Sequence, residues 1–201
     1  LGVDGAVELG LVEPEGDAVV ALCDLRPYAA DGVDWWVAAD DRGHVPADET
    51  TVRQVFVEGT AITETRVRVP RGDVVQHVYS LADAGGITVV EVTNESTLPA
   101  AIAFGRRDVL TERPIVDVPI EGIELPAGAF ALPLGHQASF RIGIPHVGCG
   151  ANAPLPAGLA PVAQVARGWL AITDRASRFA LPDGELGATL AAAVTAERCE
   201  L

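Results

Sequence analysis

The stretch Gly59–Phe104, "GTAITETRVRVPRGDVVQHVYSLADAGGITVVEVTNESTLPAAIAF", decides the fold class. In an extended chain successive side chains point to opposite sides, so Arg66 and Arg68 share one face and Val67 and Val69 the other. "PRGD" (70–73) reads as a turn, with Gly72 supplying the permissive backbone. "VVQHVYSL" and "ITVVEVTN" then form two strands of a hairpin joined through "ADAGG". "NESTLP" ends the second strand and "AAIAFG" starts another. No apolar repeat of helical period interrupts the run.

The same texture extends in both directions. Upstream, "AVELGLV" puts Val7, Leu9 and Leu11 on one face, "AVVALCDL" is a more continuous apolar run, and "VRQVFVEG" leads into the central stretch. Downstream, "IVDVPIEGIELPAGAFALPL" divides into two or three short strands at Pro119, Gly122 and Pro126, where proline favours strand starts and edges. "ASFRIGIP" closes the series of about eleven strands of ordinary length. Many short strands without intervening helices imply a mainly β protein: two antiparallel sheets packed face to face, a β-sandwich. A closed barrel fits the same alternation nearly as well.

After residue 150 the pattern changes. "GANAPLPAGLAP" is a connector without period. Val162, Val165, Trp169 and Ile172 then recur at helical spacing, with Pro161 at the permitted first position. A second helix is expected from Asp183, a capping residue, with Leu186, Leu190, Val194 and Leu201 along one face. The chain therefore divides into a sandwich domain over 1–150 and, over 151–201, a linker, a linker helix and the start of a helical domain.

Composition restricts function. All 14 basic residues are arginine, against 28 Asp and Glu, for a net charge of −14. Residues 1–60 are the most acidic, with 13 Asp and Glu against 3 Arg. Such a surface repels phosphate backbones, which argues against nucleic acid and anionic membranes as partners. No apolar run reaches the length of a membrane span. Cys23, Cys149 and Cys199 are widely spaced and odd in number, as reduced structural thiols in a cytosolic protein would be.

The motifs supply no catalytic set, no cofactor fingerprint and no metal site. His146 and Cys149 lie three apart in "PHVGCG", with His136 ten residues upstream, but no second ligand pair completes a zinc site. The same loop carries no basic residue to activate a thiolate. Arg106 and Arg107 could grip an anion, although surface solubility explains them as well. "DGVDWWVAADD" is the densest acidic–aromatic stretch, with Asp34, Asp40 and Asp41 around Trp35 and Trp36. Acidic acceptors beside aromatic faces suit sugar rings. On a strand the two indoles point to opposite faces, one into the core and one to a surface or a domain interface.

Two stretches together resemble one family. The first is Gly59–Phe104, with Val92, Asn94, Ser96 and Pro99 in a "V-x-N-x-S" turn followed by proline. The second is "VARGWLAITDRASRFALPDGELGATLAAAVTAERCEL". They are similar to the N-terminal β-sandwich and linker of bacterial glucoamylase-, trehalase- and glycoside-phosphorylase-like proteins, the six-hairpin glycosidase-like group. The resemblance implies a supersandwich of galactose-mutarotase-like type, followed by the first helix of an (α/α)6 toroid. It also implies that the catalytic carboxylates belong to that toroid. The expectation is a non-catalytic accessory domain whose partner is the helical domain of the same protein, contacting it through Trp169, Leu186, Leu190 and Val194. A homo-oligomer stays open. The alternatives are an independent carbohydrate-binding module using Trp35 or Trp36, or a small mutarotase- or cupin-like enzyme. The enzyme needs two of His77, His136 and His146 to converge near an acid.

Overall fold

The computed structural model describes residues 33–82, 86–105, 107–115, 125, 127–146, 153–175 and 187. Within them ten strands and one α-helix are found: β1 (Trp35–Ala38), β2 (Gly43–His44), β3 (Arg53–Phe56), β4 (Thr63–Val69), β5 (Gly72–Leu81), β6 (Ile87–Asn94), β7 (Ala100–Phe104), β8 (Leu110–Thr111), β9 (Phe130–Leu134), β10 (Ser139–Pro145) and α1 (Val162–Arg175). The strands form a four-stranded sheet, in the order β2-β1-β7-β9, and a six-stranded sheet, in the order β3-β4-β5-β6-β10-β8. Every strand pairing is antiparallel, and neither sheet closes on itself. This decides between the two β architectures that alternation leaves open. The N-terminal strand expectations, the region of Pro119 and Pro126, and the expected second helix with Leu186, Leu190 and Val194 lie outside the described residues, as do all three cysteines.

The alternation works as expected in the meander β4-β5-β6. Register places Val67 opposite Val74, and Val78 opposite Val90. These valines meet Trp35, Val37, Ile102, Phe104, Phe130 and Leu132 of the other sheet in one core. Phe104 anchors it, with its ring centroid 5.5 Å from that of Phe130 and 6.0 Å from that of Phe140. Burying each such side chain stabilises the fold by about 1.5–3 kcal/mol. Pro133, within β9, is tolerated because β9 is an edge strand among the described residues, where the missing N–H removes no ladder bond.

The turn at 70–73 is built differently from its sequence reading. Arg71, not Gly72, takes the left-handed conformation, at φ 63°. Gly72 is needed for space instead: a Cβ there would stand 2.5 Å from Ser96 Cα and 2.8 Å from Glu95 O. The polar turn after β6 fills that corner. Asn94, fully buried, donates from Nδ2 to Leu98 O (2.8 Å) and Gly135 O (3.2 Å), and its Oδ1 accepts from Ser96 N (2.9 Å). Ser96 Oγ donates to Pro70 O at 2.7 Å. The Asn94–Ser96 pair thus ties three turns together.

The outer face of the six-stranded sheet has two characters. One end is apolar, where Ile62, Tyr79, Ile87 and Val89 pack with Leu155, Leu159, Val162, Val165, Ala166 and Trp169. The connector before α1 is bound down to it from residue 153: Thr111 N donates to Ala153 O (3.0 Å) and Leu155 N to Thr111 O (3.0 Å). Tyr79 Oη donates to Ala160 O (3.1 Å) and Arg141 Nη1 to Leu159 O (3.1 Å). Gly143 opens room for Leu155, whose Cδ1 would stand 2.6 Å from a Cβ at that position. Helix α1 begins with Gln164 N and Val165 N donating to Pro161 O. Of the expected apolar face, Val162, Val165 and Trp169 pack on the sheet, while Ile172 is 53% exposed. The 100° step per residue carries position 172 to the flank of that stripe.

Candidate ligand-binding cleft

Where β1 meets the β3 side of the larger sheet, the two layers part around a cavity of about 400 Å3. Its lining comes from Val33–Trp36 in and before β1, from the crossing segment at Val45, Pro46, Ala47, Glu49 and Val52, and from Gln54, Thr65 and Gln76 on three adjacent strands. Gln54, Thr65 and Gln76 are cross-strand partners in one row, so the sheet register alone brings them together.

Trp35 and Trp36 divide as the strand period requires. Trp35 is 9% exposed and joins the core, whereas Trp36 is half-buried on the opposite face. Both residues border the cavity. Gly105 leaves room for Trp36, whose Cη2 would stand 3.4 Å from a Cβ there. Asp34 is exposed at the rim, and its carbonyl accepts from Gly105 N at 2.9 Å.

The polar lining is fixed from outside the cavity. Glu49 Oε1 accepts from Arg42 Nη1 at 2.8 Å and lies 2.8 Å from His44 Nδ1. The other ring nitrogen of His44, which is 2% exposed, lies 3.1 Å from Asp41 Oδ1. Burial raises the Asp41 carboxyl, but the hydrogen bond and charge of His44, with backbone N–H groups, outweigh it and hold the group below its ordinary value. Both bonds to Glu49 fall on Oε1; no partner of Oε2 is found among the described residues. Gln54 Nε2 donates to Thr65 Oγ1 at 3.0 Å. The Gln76 side chain is buried, and no hydrogen-bond partner of its amide is found among the described residues.

The remaining motif residues do not join this site. His77, on the outer face of β5, lies with Nε2 3.1 Å from Glu64 Oε2. His146 follows β10 and lies with Nε2 2.9 Å from Thr88 Oγ1. His136 is exposed in the turn between β9 and β10. The three histidines thus sit at different places in the fold, and among the described residues no group of three or more His, Cys, Asp or Glu has metal-holding geometry. Arg107 is a clamp on the chain itself, donating to Gly128 O and Ala129 O. No helix among the described residues is long and apolar enough to cross a membrane. Trp169 is half-buried against the outer sheet face.

Of this cleft, sequence reading found Asp34, Trp35 and Trp36 but missed Glu49, Gln54, Thr65 and Gln76. The available signal was Gln76, a polar residue at an inward position between Val74 and Val78. No protein-family model, curated protein or solved structure matches the chain.

Proposed function

We propose that this chain is a non-catalytic accessory β-sandwich, of supersandwich type, in a cytosolic glycosidase-like carbohydrate-active protein, where it packs against a helical domain. The observation that carries the reading is the seating of α1. The helix lies on the larger sheet through Val162, Val165 and Trp169, yet leaves Ile172 53% exposed. A helix apolar beyond the stripe it buries is suited to a second packed layer. The edge strand β3 adds Val55 and Phe56, 56% and 49% exposed.

Two experiments test this. Translation of the reading frame that contains these 201 codons should reveal an (α/α)6 helical pattern; a frame encoding no helical domain removes the proposal. The 201-residue chain should also bind an apolar dye and self-associate in sedimentation, and Ile172→Glu should diminish both. A strictly monomeric chain without dye binding counts against the packing role.

A further inference from the structure

We infer that the cleft between the sheets is a binding site for a neutral carbohydrate of one or two hexose units. This goes beyond the packing role and does not rest on it, since the cleft and α1 use different faces of the larger sheet.

The argument starts from size. At about 400 Å3 the cavity falls in the range of small-molecule sites, roughly 300–1,000 Å3. Its chemistry then restricts the occupant. The polar lining offers carboxylates (Asp34, Glu49), amides (Gln54, Gln76) and a hydroxyl (Thr65), interleaved with apolar walls from Val33, the Trp35–Trp36 pair, Pro46 and Val52. Carboxylate oxygens accept from ligand hydroxyls, and an amide both donates and accepts. A ring that alternates hydroxyls with C–H faces matches that mixture.

Charge selects further. No arginine lines the cavity among the described residues, so a phosphate or carboxylate on the ligand would meet Asp34 and Glu49 without a counter-charge. Glu49 is already engaged by Arg42 and faces His44, so the interior does not call for a cationic ligand either. The unfilled hydrogen-bonding groups inside the cleft are Glu49 Oε2, on a carboxylate whose charge Arg42 offsets, and the neutral amide of Gln76. The Gln76 amide makes no hydrogen bond to the described residues and is not shut off from solvent, so both its donor and its acceptor are available to water or a ligand in the cleft. His44 and Arg42 act as positioning residues: they hold Oε1 of Glu49 and fix the direction of Oε2.

The test is saturation-transfer NMR and titration calorimetry on the full 201-residue chain. The probes are D-glucose, D-galactose, D-mannose, maltose and cellobiose, with glucose 6-phosphate and glucosamine as charged comparisons. At least one neutral sugar should bind saturably and at least tenfold more tightly than either charged sugar. Gln76→Leu and Glu49→Gln should each weaken that binding about tenfold, the loss of one well-formed hydrogen bond. Gln54→Ala, on an exposed strand, supplies a variant that keeps the fold, checked by its circular dichroism, and should weaken binding severalfold. Saturable binding by none of the neutral sugars, equal or tighter binding of a charged one, or affinity unchanged in all three variants would each overturn the inference. Failure here would leave dye binding and self-association through α1 untouched, so the two proposals fail separately.

Discussion

Asn94 and Gln76 are both amides on the inward-facing rows of neighbouring strands, 0% and 6% exposed, yet they are used in opposite ways. Asn94 spends its hydrogen-bonding capacity on the chain: Leu98, Gly135 and Ser96 all bond to it. Gln76 bonds to none of the described residues and lines a cavity. A buried polar group filled by the protein fixes geometry, whereas one left open to a cavity is available to something else. Their difference separates the polar residues that hold this fold from those that can recognise a ligand.

Asn94→Ala should break the corner. The carbonyls of Leu98 and Gly135 and the N–H of Ser96 would all lose a partner in the interior, for a loss of about 3 kcal/mol. Urea denaturation should show the midpoint falling with an unchanged slope. A cost below about 1 kcal/mol would mean that the corner is not what joins the turns. Gly72→Ala attacks the same corner sterically. The atoms in its way are Ser96 Cα and Glu95 O, which are backbone and cannot rotate aside. The expected cost is about 2 kcal/mol, and thermal unfolding compares it directly with Asn94→Ala. Placed together, the two changes should cost less than their sum, because they disrupt one shared structure.

A third polar group sharpens the comparison from outside. On the outer face of the larger sheet, Glu64 accepts from Arg66 Nε at 2.6 Å and faces His77. The Arg66 hydrogen bond chiefly, with the charges of Arg66 and His77, outweighs burial and lowers the Glu64 carboxyl below its ordinary value of 4.5. A carboxylate lowered in the native state contributes stability that is fully present above the unfolded value. It is lost as pH falls through the native one. The stability difference between wild type and Glu64→Gln should therefore be constant from neutral pH to about 5 and shrink toward zero below about 4. Its size should stay under about 1 kcal/mol, as for partly exposed pairs. A difference that grows on acidification would contradict the assignment.

How much of this was legible in the sequence follows from where partners lie along the chain. The β4-β5-β6 meander was legible because its alternation is local and its valines repeat at period two. The helical stripe of Val162, Val165 and Trp169 was legible for the same reason. Asn94 and Ser96 stood out only by resemblance. Their structural role was hidden because the groups they hold, Pro70 O and Gly135 O, are 26 and 41 residues away. The cleft was half legible: Trp35 and Trp36 announce themselves, but Glu49, Gln54, Thr65 and Gln76 converge only through sheet register and a crossing segment. Gly72 was credited with the turn's unusual backbone, which falls on Arg71, because close approach by a distant backbone leaves no local trace.

The smallest expected stability effect carries the most weight for the comparison. Gln54 lies on the exposed edge strand and makes one side-chain bond, from Nε2 to Thr65 Oγ1. In Gln54→Ala, water can replace the amide at Thr65, so stability should fall by only about 0.5 kcal/mol, the low end for a single hydrogen bond. Its neighbour across the ladder is Thr65 and the next is Gln76, so truncation removes one end of the polar row that floors the cleft. A residue of the Asn94 kind would lose stability without altering recognition. A residue of the Gln76 kind should do the reverse. Measuring the unfolding midpoint and sugar affinity on the same Gln54→Ala sample puts that contrast to a single test. A midpoint shift of about 2 kcal/mol or more, with affinity unchanged, would place Gln54 with the structural set and reduce the cleft's recognising row to Gln76 and Glu49.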